Sequence, residues 1–361
     1  MTHATGPTLH AWRSPRVRLG ITSMVLLALL GCGDSHSDNA PPARDTGATA
    51  NAPLVRGIAI GLYHDTPKAP YAQQLRELRE HGANFTNLVI HWFQSSVHTH
   101  DLAPDPERTP KDATVIAALQ SARAQGLHVM LMPIPQLRTR ATGEWRGKLA
   151  PTDLPKWRSA YARFITHYAR LAANAGAALF CIGSELVSLE GQRILWASLI
   201  EDVRAIFPGA LTYSANWDHY APVAFWDLVD LVGINGYFEI AKDAAPTVAR
   251  MTERWSAVRV QLESFAHRQK RPLFFTEVGY PSIQGGATWP WHYGREAPLD
   301  LGEQARAYDA FIHVWRTPSP VFRGVLFWNW EGAGGPTDTG YTPRGKPAAE
   351  HVKAWFGAPS P

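Results

Sequence analysis

The sequence predicts a single (β/α)8 TIM barrel, preceded by an export signal and a tether. Three observations predict it. Eight short apolar runs alternate with longer amphipathic stretches, the count for such a barrel in roughly 300 residues. Most runs are continuous rather than alternating, as in parallel strands with helices on one face and a core on the other. An open doubly wound sheet, the runner-up, would carry a glycine-rich phosphate turn early, and "GIAIGLYHD" (57–65) lacks the third glycine.

The elements follow in order. "VRGIAIGLY" (55–63) is the first strand, and "PYAQQLRELREHG" (70–82) is a helix with Leu75 and Leu78 on one face and Gly82 at its end. "NFTNLVIHW" (84–92) is the second strand, followed by a helix over 111–126 that stops at Gly126. "LHVMLMP" (127–133) leads to a long helix over 153–176, with Pro155 near its start and Gly176 past its end. "AALFCIG" (177–183) is followed by a helix over 192–209 that Pro208-Gly209 stops. "ALTYSA" (210–215) and "LVDLVGIN" (228–235) are strands five and six, separated only by the short "YAPVAFWDL" (220–228). A helix over 246–270, the strand "RPLFFTE" (271–277), a helix over 301–315, the strand "RGVLFWNW" (323–330) and a helix over 347–356 complete the set. Trp157, Trp196, Trp255 and Trp315 fall at helical spacing and are expected to pack between helices and barrel.

The first residues read differently. Arg13, Arg16 and Arg18 precede "LGITSMVLLALLGC", an apolar run too short for a confident membrane span and typical of a secretory signal. Leu29-Leu30-Gly31-Cys32 resembles a bacterial lipobox, so residues 1–31 are expected to be removed and Cys32 lipidated. Residues 32–53 are small, polar and proline-containing, a flexible tether. The barrel is expected over 54–358. An exported lipoprotein held in the membrane by its lipid is implied, and Gly33 after Cys32 leans toward the outer membrane or cell surface. Subtracting the three signal arginines from 35 basic residues leaves 32 against 31 acidic ones, a net of +1. The basicity therefore belongs to the signal, and nucleic acid is not an expected partner. Cys181, the other cysteine, reads as a small buried hydrophobe; no zinc pattern is present and no metal or organic cofactor is expected.

In a barrel the strands' C-terminal ends form the working face. They deliver Tyr63, His64 and Asp65; His91 and Trp92; Glu185; Asn216 and Trp217; Asn235 and Tyr237; Glu277; and Trp328, Asn329 and Trp330. This set is rich in carboxylate, amide, imidazole and indole and poor in cations. Phosphate substrates fit it badly and carbohydrate fits well, with indoles stacking on sugar faces and amides on hydroxyls. His91, Trp92, Asn216, Trp217, Asn235 and Trp328 are the candidate sugar ligands. Glu185 and Glu277 each follow an apolar strand, on opposite sides of the mouth. Two carboxylates about 5–5.5 Å apart hydrolyse a glycoside with retention, one as nucleophile and the other as acid then base. Tyr237 is placed to hydrogen-bond the nucleophile and keep it ionised.

The motifs "IGSEL", "FTEVGYPS", "FWNW" and "GYTPRGKPA" (340–348) resemble glycoside hydrolase family 113, within the clan of retaining (β/α)8 glycosidases, across most of residues 55–356. The resemblance implies an endo-β-1,4-mannanase with Glu185 as acid/base and Glu277 as nucleophile. Ser184 stands where most of the wider clan has an asparagine on the sugar 2-hydroxyl; Asn216 or Asn235 is left for that contact. The expected partner is a β-linked oligo- or polysaccharide, and the expected state a monomer. The same chemistry on β-glucan or galactan is an alternative. A second is a non-catalytic carbohydrate-binding lipoprotein, whose carboxylates would not face each other.

Overall fold

The computed structural model describes residues 53–63, 70–242 and 245–359. The signal, Cys32, the tether up to residue 52, His64 and Asp65 lie outside the described residues.

Eight parallel strands close into a barrel in sequence order. They are β1 (Val55–Gly61), β2 (Phe85–Gln94), β3 (His128–Leu137), β4 (Leu179–Ser184), β5 (Ala210–Ala215), β6 (Leu231–Asn235), β7 (Leu273–Val278) and β8 (Phe322–Phe327). Helices α1 (Tyr71–Glu80), α2 (Asp112–Ala124), α3 (Leu154–Ala175), α4 (Arg193–Arg204), α5 (Val248–Gln269), α6 (Leu301–Trp315) and α7 (Ala348–Gly357) lie between or after them. The expected (β/α)8 architecture is therefore present. Between β5 and β6 the connection carries no full helix, just the short helical turn Trp226–Leu228, as the shortness of that segment predicts. Strand β8 stops at Phe327, so Trp328, Asn329 and Trp330 belong to the loop above it.

Helix ends follow the local chemistry. Asp153 caps α3 by accepting the Lys156 N–H, and Gly176 ends it at φ 65°, where a side chain would be strained. Asp300 caps α6 in the same way, accepting the Glu303 N–H at 2.7 Å. Strand side chains alternate between two apolar layers. Ala59, Val89, Met130, Met132, Cys181, Phe274 and Leu326 fill the barrel interior. Ile58, Ile60, Leu88, Phe180, Phe275 and Val325 face the helices. Trp157, Trp196, Trp255 and Trp315 are fully buried in that outer layer, as expected, and truncating any one would cost about 3–5 kcal/mol. Burial pushes the Cys181 thiol up to about 12, so it stays protonated as packing.

Candidate active site

Glu185 follows the last residue of β4, and Glu277 lies within the C-terminal part of β7. Asn235 ends β6 and is the register partner of Glu277. Its carboxamide has a fixed orientation. Oδ1 accepts from Ser214 Oγ at 2.6 Å and Thr276 Oγ1 at 2.9 Å, so Nδ2 is the end that donates to Glu185 Oε1, at 2.7 Å. The other oxygen, Glu185 Oε2, accepts from the Arg146 guanidinium at 2.6 Å, and Arg146 Nε also donates to the Ser184 carbonyl.

Glu277 accepts from the Tyr237 hydroxyl at 2.7 Å through Oε2, while Oε1 has no hydrogen-bond partner among the described residues. Burial, then the charge of Glu185, raises the Glu277 pKa to about 8, against the opposing pull of Arg146, Tyr237 and Asn235. The charge of Glu185 acting on buried Glu277 places the two carboxylates in one site. Burial and the Glu277 charge hold the Tyr237 proton firmly, so its hydroxyl is a donor to the carboxylate. Two buried acids share an amide, with one oxygen uncommitted. This arrangement suits acid–nucleophile chemistry at a sugar carbon and does not suit a structural ion pair.

The sequence profile of Glycoside Hydrolase Family 113 matches residues 61–346. The chain belongs to glycoside hydrolase family 113. A family 113 β-mannanase from Alicyclobacillus acidocaldarius, solved in complex with ManMIm, is 28% identical; the match covers 85% of this chain and 98% of that one, with a TM-score of 0.75. A solved family 113 β-1,4-mannanase is 25% identical over 85% of this chain and 100% of its own, with a TM-score of 0.74. A GH5_18 protein from Bifidobacterium longum, 13% identical with a TM-score of 0.54, shares the fold. No curated protein sequence matches.

The remaining predicted ligands of this family 113 glycoside hydrolase separate into two groups. His91 reaches the mouth. It stacks on Tyr63 with ring centroids 4.5 Å apart, and its Nε2 lies 3.4 Å from Gln136 Nε2. Burial, then the nearby Arg146, Arg140 and Arg108, lowers its pKa to about 3, so the ring is neutral. Trp328 packs on top of the interior layer, also at the mouth. Trp92 does not reach it. Its Nε1 donates to the Tyr168 hydroxyl at 3.0 Å and its ring packs on Phe164 of α3. The correction follows from strand geometry: adjacent side chains face opposite ways, so His91 pointing in sends Trp92 out. Asn216 turns its carboxamide to the Trp217 N–H, and Trp217 packs against Phe238 beside an outer groove lined by Tyr220 and Arg254. Asn235 is at the site: its Oδ1 accepts from Ser214 and Thr276, and one of its two amide N–H groups donates to Glu185.

Several residues at the site were not singled out from sequence. Arg146 sits in the loop between β3 and α3, which carries no periodic pattern. Tyr341, in the loop after β8, packs edge-on to Tyr237 with centroids 6.1 Å apart, and its hydroxyl donates to the Pro290 carbonyl. That loop is fixed by Lys346, whose buried Nζ donates to Ser282 Oγ, Asp338 Oδ1 and the Gly340 carbonyl at 2.7–2.9 Å. Ser282 belongs to the loop after β7, so the two rim loops share one ammonium. Glu331, in the loop after β8, accepts the Gly61 N–H at 3.0 Å.

Proposed function

We propose that this family 113 glycoside hydrolase is a retaining endo-β-1,4-mannanase working by double displacement. The observation that carries it is the buried pair Glu185 and Glu277, facing one space across Asn235. In the first step Glu277 Oε1, the uncommitted oxygen, attacks the anomeric carbon while Glu185 gives a proton to the departing glycosidic oxygen. In the second, Glu185 takes a proton from water, whose oxygen displaces Glu277 from the sugar. Tyr237 holds Oε2 and so fixes the direction of attack. Neutral His91 and the Trp328 face line the sugar site. The choice of β-mannan rests on the two family 113 neighbours named as β-mannanases. A panel of β-mannan, β-glucan and galactan, assayed for new reducing ends with product anomers followed by NMR, tests it. Release from mannan with the β-anomer formed first is expected. Inversion, or release only from another glycan, rejects it.

The raised pKa of Glu277 favours a second reading, in which the roles are exchanged and Glu185, held by Arg146, is the nucleophile. Trapping with a 2-deoxy-2-fluoro-mannoside followed by peptide mass spectrometry separates them: the label on Glu277 supports the first assignment, and on Glu185 the second.

We also infer export and anchoring through a lipid on Cys32, supported by the basic residues and apolar run before it. Radiolabelled palmitate should enter the wild-type chain and not Cys32→Ser.

A further inference from the structure

Glu185 has a left-handed backbone, φ 54°, one of two non-glycine residues so recorded among those described. Such a conformation persists only where the surroundings enforce it. Here it has a purpose. Strand β4 is irregular between Cys181 and Ser184, and a Cβ on Gly183 would meet Trp196, Tyr161 and Tyr213 on the helix side. Ser184 therefore faces the barrel axis, and an extended Glu185 would turn back toward the helices. The left-handed turn sends it to Asn235 and Arg146 instead.

Two consecutive residues of β5 hold that turn. The Glu185 N–H donates to the Ser214 carbonyl at 2.9 Å. The next N–H, of Leu186, donates to the Tyr213 hydroxyl at 2.7 Å. That hydroxyl must in turn donate elsewhere, and it does, to Glu190 Oε1 at 2.7 Å. Glu190 is wholly buried, and its Oε2 lies 2.6 Å from His219 Nδ1. A buried carboxylate that touches neither Glu185 nor Glu277 thus fixes the one hydroxyl rotamer whose lone pair faces Leu186.

We propose that Tyr213, oriented by Glu190, is a positioning residue that holds the acid/base Glu185 in its left-handed turn. The inference rests on Glu185 being the acid/base of the proposed mannanase. Tyr213→Phe keeps the ring against Trp196 and Phe225 and removes only the hydroxyl. A misplaced acid matters for a poor leaving group and little for one that departs without a proton. Expected is a loss in kcat/KM, which reports the first, acid-assisted step, of roughly 10–100-fold on β-mannopentaose and under about threefold on dinitrophenyl β-mannobioside. An equal loss on both substrates, or none on either, overturns the proposal. So does a crystal structure of Tyr213→Phe with Glu185 still on Asn235 and Arg146. Wild-type protein inactive on both substrates would defeat the mannanase reading instead, and the crystal structure would then decide this one. If Tyr213→Phe does not fold, Glu190→Gln replaces it. The variant keeps an acceptor for the hydroxyl but loses the charge, so the same skew is expected at a smaller factor; an equal loss on both substrates overturns it.

Discussion

The Tyr237 hydroxyl, two residues past the end of β6, donates to the Glu277 Oε2 of β7 at 2.7 Å. A hydrogen bond to a charged group is worth about 1.5–3 kcal/mol. Tyr237→Phe should therefore lower kcat roughly 10–100-fold. Because the lost donor favoured the ionised carboxylate, the acid limb of the pH–rate profile should move to higher pH. Steady-state kinetics across pH checks both; an unmoved limb would show that Tyr237 does not tune the nucleophile.

Glu277 also makes stability depend on pH. Its pKa is about 8 in the fold against an ordinary value of 4.5. The folded state holds this proton more tightly than the unfolded chain, so its contribution is fully present below 4.5 and is lost as pH rises through 8. Glu277→Gln, neutral at every pH, escapes that loss. Its Tm should exceed that of the wild type increasingly between pH 5 and 8.5, by roughly 2–4 °C for each kcal/mol. Calorimetry at several pH values measures this, and a constant gap would contradict the assigned shift.

Arg146 acts on both acids. Its guanidinium bonds Glu185 and pulls the Glu277 pKa down. Arg146→Met should let the pair hold its last proton to higher pH, moving the alkaline limb of kcat/KM upward. A loss of about tenfold or more in kcat at neutral pH is expected, as the acid loses one of its two anchors. A profile displaced toward acid would reverse the sign and reject this role.

Much of the barrel was legible because its signals are local. The helix over 301–315 was read with the bounds it has, since an aspartate precedes it and its apolar stripe ends at Trp315. The helix over 192–209 was read too long, because Ala205–Phe207 is apolar enough to continue the pattern yet lies outside α4. Glu185 and Glu277 were legible for a simple reason: charge straight after a buried strand is conspicuous. Arg146 was not, because its role depends on how a long loop folds back over the mouth. Trp92 was misplaced because composition at a strand end was counted without its period of two. Tyr213 was hidden for another reason: it looks like ordinary packing until the turn at Glu185 is seen to need a hydrogen-bond acceptor.

The shared ammonium of Lys346 bears on how this scaffold can be remodelled. Because one cation binds the segments after β7 and β8 together, neither is a free module. Swapping the segment after β7 alone with that of a relative would take Ser282 from the Lys346 ammonium and from the Asp338 and Gly340 carbonyls, so chimeras should exchange the two as a unit.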